Sequence, residues 1–197
     1  YTMKQYADDA ADLINKLQLP RLPVMGVSFG GMVAQELAIR HPDKVSKLVL
    51  ACTSSGGRGG SSYPLHELED LNPNDRLEQS IKINDLRITD DWIQKNTEDW
   101  KRLKEMTVNR NQFKPDHKGY MNQLMARKEH DTFDRLYKIE IPVFLLGGKY
   151  DGIAPMENMK ALNKEIQNSK LKFYQGGHLF LIQDKQAFID IIECLLN

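Results

Sequence analysis

A serine flanked by glycines stands where an apolar run gives way to a helical pattern. Residues 26–30 read GVSFG, a G-x-S-x-G motif preceded by the apolar run 22–27 and followed by the helix-like run 31–39. A strand that turns sharply into a helix lifts such a serine hydroxyl above the edge of a sheet. Glycines suit so tight a turn because any side chain there would clash. The context favours an exposed nucleophile, Ser28, over an ordinary strand-to-helix turn.

Short apolar runs alternate with helical patterns at both ends of the chain. Strands are predicted at 22–27, 45–52, 141–146 and 171–174, and helices at 3–17, 31–40, 155–166 and 180–196. This alternation predicts an α/β fold, a parallel sheet with helices on both of its faces.

The middle of the chain has a different composition. Residues 53–62 read TSSGGRGGSS, which predicts a flexible loop. The pattern that follows is helical and polar, with helices predicted over 74–86, from 89 through 106, and from 116 onward. We therefore predict a core made of 1–52 and 141–197, with 53–140 as a helical insertion. Its aromatic residues are interpreted as packing rather than as a pocket: Trp92, Trp100, Phe113 and Tyr120.

Two further residues could turn Ser28 into a nucleophile. A serine needs a base within hydrogen-bond reach, and the base needs an orienting acid. Asp151 follows the strand at 141–146, and His178 follows the strand at 171–174. Taken singly, Asp151 also fits a helix cap and His178 a loop histidine. The order Ser, Asp, His at strand ends favours a triad. His130 is interpreted as a structural cap.

Composition excludes several classes of function. The 27 basic and 27 acidic residues balance, and no run of like charge predicts binding to nucleic acid or a membrane surface. No apolar stretch is long enough to span a bilayer. Cys52 and Cys194 lie in apolar patterns typical of buried thiols rather than a disulfide, which fits a cytoplasmic location. No metal-ligand cluster is seen, and no cofactor is expected.

Three segments carry a family resemblance: MGVSFGGMVAQELAIRHPDKV, IPVFLLGGKYDGIAP and QGGHLFLI. They resemble the α/β-hydrolase fold superfamily, and within it small esterases and lactonases such as 3-oxoadipate enol-lactonase. The resemblance implies Ser28 as nucleophile, His178 as general base, Asp151 as orienting acid and the Phe29 backbone N–H as an oxyanion donor. It also implies a helical cap over 53–140 and a small ester or lactone as substrate. Perhydrolysis by the same triad stays open as an alternative.

The family normally has four strands before the helix with which this chain begins. Only 27 residues precede Ser28, so we expect strands five to eight of the family sheet without the loop that supplies a second oxyanion donor. An inactive fragment or a binding module is therefore a third interpretation. An apolar strand at 22–27, unpaired on one side, is prone to pair with another chain. We expect a homodimer through this edge or the helix 3–17, or aggregation.

Overall fold

Four parallel strands form the sheet, and their order in space is their order along the chain. The structure is a computed structural model that describes residues 1–110 and 116–196. In these residues the strands are β1 Leu22–Val27, β2 Val45–Ala51, β3 Val143–Gly148 and β4 Ser169–Tyr174. Each strand pairs in parallel with the next. The predicted parallel α/β sheet is confirmed, and the carboxyl ends of all four strands lie at one edge.

The α-helices of the described residues precede, separate and follow these strands. In chain order they are α1 Met3–Lys16, α2 Phe29–Arg40, α3 Pro73–Asn84, α4 Asp90–Lys95, α5 Thr97–Arg110, α6 His117–Lys128, α7 Met156–Glu165, α8 Phe180–Gln183 and α9 Lys185–Leu196. The elements between β2 and β3 in the described residues are all helical, including short 3-10 helices at Gly57–Gly59, Leu65–Asp70 and Phe133–Lys138. Phe113 lies outside the described residues.

Helices cover both faces of the sheet because side chains along a strand alternate between its faces. Leu48 and Leu50 of β2 pack in one cluster with buried residues of α1, α2 and α7. Val49 and Ala51 pack on the opposite face with buried residues of α8 and α9. The nearly continuous apolar run of β2 is therefore explained by burial on both sides.

Two helices predicted as single elements are each interrupted. The pattern beginning at residue 89 breaks at Asn96, whose side-chain amide donates to the Trp92 carbonyl oxygen at 2.8 Å. The closing helix breaks at Asp184, whose carboxylate accepts from the backbone N–H groups of Gln175 and Gln186, each at 3.1 Å. Short polar side chains compete for backbone groups in this way, which apolar periodicity alone does not reveal.

β1 forms one edge of the four-stranded sheet. The Met25 and Val27 side chains are 37% and 40% exposed. No helix in the described part of the chain is both long and apolar enough to cross a bilayer.

Candidate active site

Ser28 occupies the single position between a strand and a helix. β1 ends at Val27 and α2 begins at Phe29, so Ser28 makes the whole turn. Its backbone has φ 53° and ψ −116°, in a region that residues with a side chain rarely adopt. The Ser28 N–H donates to the Ala51 carbonyl oxygen of β2 at 2.8 Å, which ties the turn to the sheet. A Cβ at Gly26 would collide with the Gly30 carbonyl, so this position requires glycine.

His178 lies in the loop that follows β4. Its Nε2 lies 2.9 Å from the Ser28 Oγ, and its Nδ1 lies 2.8 Å from the Asp151 Oδ2. The side chain is 12% exposed. The structure therefore brings together all three residues that were selected from the sequence as a triad.

Asp151 follows β3 and is almost completely buried. Its Oδ1 accepts from the backbone N–H groups of Ile153 and Ala154, both at 2.8 Å. Its Oδ2 remains for His178. One oxygen thus caps the turn at 153–154 and the other contacts the histidine, whereas the N-cap of the helix that begins at Met156 is Pro155 and not Asp151.

These contacts define the tautomer of the histidine. An ionised carboxylate can only accept, so the Nδ1 of His178 donates its hydrogen to Asp151. The lone pair of Nε2 then faces the Ser28 hydroxyl. In this arrangement the hydroxyl proton can pass to Nε2 as Oγ attacks an electrophile.

The first turn of α2 lies directly behind the serine. Phe29 is the first residue of the helix, and the leading N–H groups of a helix have no acceptor within it. They also form the positive end of the helix dipole, which favours negative charge nearby. The Thr53 hydroxyl donates to the Ser28 carbonyl oxygen at 2.8 Å and so supports the turn.

The alpha/beta hydrolase fold family model matches residues 1–185. The chain belongs to this family. The resemblance inferred from the three sequence segments is thereby confirmed.

Relatives of this alpha/beta hydrolase include enzymes with different substrates in their names. The chain is 30% identical over 199 residues to a poly(3-hydroxyalkanoate) depolymerase of Ectopseudomonas oleovorans. This alignment covers 100% of this chain and 68% of that protein. The chain is 24% identical to 3-oxoadipate enol-lactonase 2 of Acinetobacter baylyi, in an alignment that covers 100% of this chain and 72% of that protein. The enol-lactonase structure from Burkholderia xenovorans LB400 superposes with a TM-score of 0.76 at 19% identity, covering 100% of this chain and 73% of that one.

One group of potential metal ligands occurs among the described residues of this hydrolase. The ligand atoms of Cys52, Asp151 and His178 all lie within 4.8 Å of one another. Burial and the nearby Asp151 charge raise the pKa of the Cys52 thiol far above its usual value. A thiol binds metals as the thiolate, so this environment disfavours Cys52 as a ligand. The other two members are already engaged with each other.

The histidine loop is held by residues that sequence analysis did not assign to the site. The His178 N–H donates to the Asn84 carbonyl oxygen at the end of α3, at 2.6 Å. The Gln183 side chain accepts from the Gly177 N–H at 2.8 Å and donates to Asp85 at 3.2 Å. No sequence motif links α3 to this loop, because the contact spans about half the chain.

The structure corrects the prediction of a flexible loop at 53–62. Its composition predicts a flexible loop, but Thr53, Ser54 and Ser55 are completely or almost completely buried. The Gln35 side-chain amide of α2 donates to the Ser54 carbonyl oxygen at 3.0 Å, and the Thr132 N–H donates to the Ser55 carbonyl oxygen at 2.8 Å. Small polar residues suit this position because their backbone groups are satisfied by neighbouring elements.

Proposed function

We propose that this chain is a serine hydrolase that cleaves a small carboxylic ester or lactone. The observation that carries the proposal is the relay from Ser28 Oγ to His178 Nε2 at 2.9 Å and from Nδ1 to Asp151 at 2.8 Å. A hydroxyl, a base and an orienting acid are the parts that nucleophilic acyl transfer needs.

Acylation is the first half of the proposed reaction. As the Ser28 Oγ bonds to the substrate carbonyl carbon, its proton moves to His178 Nε2 and the carbonyl oxygen becomes an oxyanion. Asp151 stabilises the imidazolium that forms. When the tetrahedral intermediate collapses, the bond to the leaving alcohol breaks and His178 returns the proton to that oxygen. The acyl group remains on Ser28.

Deacylation reverses these roles with water as the nucleophile. His178 takes a proton from the water as its oxygen bonds to the acyl carbon. Collapse then breaks the bond to the Ser28 Oγ, which regains its proton from Nε2. The products are a carboxylic acid and an alcohol, or a hydroxy acid from a lactone.

The Phe29 N–H is our candidate donor to the oxyanion. It lies next to the nucleophile at the start of α2, where the helix leaves it without an intrahelical acceptor. Removal of one such donor costs about 10²–10³ in rate in a well-studied protease. A backbone amide cannot be removed by ordinary substitution, so this assignment is tested with a transition-state analogue rather than a variant.

We further propose that residues 53–140 act as a cap over a core made of 1–52 and 141–197. This is supported by contacts from the insertion to both loops that carry the triad. The Asn84 carbonyl accepts from the His178 N–H, and the Tyr63 N–H donates to the Ile153 carbonyl oxygen at 2.7 Å beside Asp151. The cap would enclose the substrate, consistent with a small ester or lactone.

Active-site labelling tests the proposal most directly. A fluorophosphonate probe should label the parent protein at Ser28, and Ser28→Ala should abolish both labelling and hydrolysis of 4-nitrophenyl acetate. Ser80→Ala is the matched control, because the Ser80 hydroxyl only donates to the Leu77 carbonyl within α3. Labelling that persists in Ser28→Ala would contradict the assignment. Absence of both labelling and turnover would favour a binding module. Peracid formation from acetate and peroxide that is faster than hydrolysis of 4-nitrophenyl acetate would favour a perhydrolase.

The open edge of β1 supports a proposal about assembly. Its exposed Met25 and Val27 lie beside backbone groups that no further strand of the described sheet pairs with. We propose that the 197-residue chain forms a homodimer through this edge. A monodisperse monomer in light scattering would overturn this proposal.

A further inference from the structure

A polar pocket is formed within the insertion 53–140. It has a volume of about 260 Å³ and is lined by the segment after β2 and by the end of α6. We call it the Arg127 pocket, and its lining includes Ser54, Ser62, His66, Glu67, Arg127, His130 and the exposed Lys128.

Arg127 is a buried cation without a carboxylate partner. The residue is 9% exposed, and its Nη1 donates to the Tyr63 carbonyl oxygen at 2.6 Å. Its Nη2 is buried and has no hydrogen-bond partner, and no salt bridge to Arg127 is found among the described residues. Burial lowers the pKa of Arg127 to about 10, so the side chain is still charged at neutral pH. A buried charge left without a counter-ion is strongly unfavourable.

His130 adds two more unsatisfied polar atoms. The residue is 5% exposed, and neither buried ring nitrogen has a partner at hydrogen-bond geometry in the described residues, although the nearby Ser54 backbone favours the protonated ring and raises its pKa. The prediction that His130 serves as a structural cap is therefore wrong. A neutral imidazole offers one donor and one acceptor, so the ring can donate to an anion beside the guanidinium. Glu67, the carboxylate in the lining, is on an exposed residue and makes no salt bridge to Arg127.

The lining of the pocket is linked by hydrogen bonds to residues around the triad. Ser54 follows Thr53, whose hydroxyl donates to the Ser28 carbonyl oxygen. Tyr63, whose carbonyl oxygen accepts from Arg127, donates its N–H to the carbonyl oxygen of Ile153, two residues after Asp151. These contacts place the pocket beside the segments that hold Ser28 and Asp151.

We infer that the Arg127 pocket binds a carboxylate carried by the substrate, so that the preferred substrates are esters or lactones bearing a free carboxylate. The inference rests on the proposed hydrolase function and extends it to substrate class. The Arg127 Nη2 and an N–H of His130 donate to the carboxylate, and the hydroxyls of Ser54 and Ser62, 3.0 Å apart, lie in the same lining. Hydrogen bonds that involve an ionised group are stronger than those between neutral groups.

A pair of substrates of similar size tests this inference. The 4-nitrophenyl monoester of glutaric acid carries a carboxylate where 4-nitrophenyl pentanoate carries a methyl group. We expect kcat/KM for the charged ester to exceed that for the neutral one by about 10- to 100-fold. Arg127→Met should abolish this preference, chiefly by raising KM for the charged ester. Arg127→Lys should restore part of the preference.

Arg102→Met is the matched control. Arg102 lies on α5 of the same insertion, is 75% exposed, and pairs with Asp99. Its replacement removes one positive charge at a distance from the pocket, so both esters should be hydrolysed as by the parent. A loss of preference equal to that of Arg127→Met would show that net charge, rather than the pocket, selects the substrate, and would overturn the inference.

Binding without turnover separates the two proposals. Calorimetry with glutarate should show binding to Ser28→Ala and at least tenfold weaker binding to Ser28→Ala/Arg127→Met. If neither ester is hydrolysed but glutarate binds in this way, the hydrolase proposal fails and the carboxylate site stands. If pentanoate is hydrolysed without any preference for the charged ester, or glutarate does not bind, the carboxylate site fails. Turnover of pentanoate by Arg127→Met also shows that this variant is folded.

Discussion

The triad and the Arg127 pocket are both polar sites inside the protein, but their polar atoms are satisfied to different degrees. Both His178 nitrogens and both Asp151 oxygens have hydrogen-bond partners within the chain. In the pocket, the Arg127 Nη2 and both His130 nitrogens form no hydrogen bond with the residues that the structure describes. A satisfied network defines one geometry in advance, as catalysis requires. An unsatisfied one carries a cost in the free protein that a ligand can relieve.

The largest expected effect comes from changing one atom of the satisfied network. In Asp151→Asn the backbone N–H groups of Ile153 and Ala154 hold the amide oxygen in place of Oδ1, so the amide nitrogen faces His178. His178 must then accept at Nδ1 and carry its hydrogen on Nε2, where it cannot receive the Ser28 proton. We expect kcat to fall by about 10⁴, as in the corresponding protease substitution, with normal folding by circular dichroism.

Asp184→Asn provides the control for that prediction. Asp184 lies in the same region and its carboxylate accepts only backbone N–H groups, from Gln175 and Gln186. The same chemical change at this position should alter kcat by less than about tenfold. If Asp151→Asn stays within tenfold of the parent while Asp184→Asn does not, a different acid orients the histidine.

The sequence predicted the triad better than the pocket because the two are encoded differently. Ser28, Asp151 and His178 each follow an apolar strand and stand beside glycines, so the parallel topology brings them to one edge. Strand positions followed from apolar runs, although β3 begins at Val143 because Pro142 has no N–H for the ladder.

The pocket depends on contacts that have no local signal. Arg127 is the penultimate residue of α6, where a basic residue is ordinarily exposed and stabilises the helix end. It is buried because the Tyr63 carbonyl, 64 residues away, approaches its guanidinium. His130 is buried by the segment after β2, whose small polar residues predict a loop on the surface. Packing between distant parts of the insertion thus creates the site.

A pH effect of intermediate size should come from His130. Burial is the largest cause that lowers the pKa of His130 to about 4, and Arg135 lowers it further, against opposing contributions from Glu36, the Ser54 backbone and Asp131. The unfolded chain therefore binds a proton near pH 6.5 that the folded protein takes up only near pH 4. The contribution to stability is complete above pH 6.5 and is lost as the pH falls toward 4.

This linkage predicts a loss of about 2–3 kcal/mol in the free energy of unfolding between pH 7 and pH 4.5 from His130 alone. Urea unfolding of the parent and of His130→Leu across this range isolates the contribution, because other groups titrate alike in both proteins. The difference between the two curves should grow steadily below pH 6.5. A constant difference would show that His130 is protonated as readily in the folded protein as in the unfolded one.

The smallest expected effect tests the comparison itself at neutral pH. His130→Leu removes two buried nitrogens that have no partner, so it should raise the free energy of unfolding by about 1 kcal/mol while it weakens glutarate binding.

Gln35→Leu is the opposite case. The fully buried Gln35 donates to the Gly31 and Ser54 carbonyl oxygens and accepts from the Thr132 hydroxyl, so its loss should destabilise by about 2 kcal/mol. Urea unfolding at pH 7.5 measures both. If His130→Leu destabilises as much as Gln35→Leu, the His130 nitrogens are satisfied in solution, and the pocket does not hold the unmet donors that a carboxylate would need.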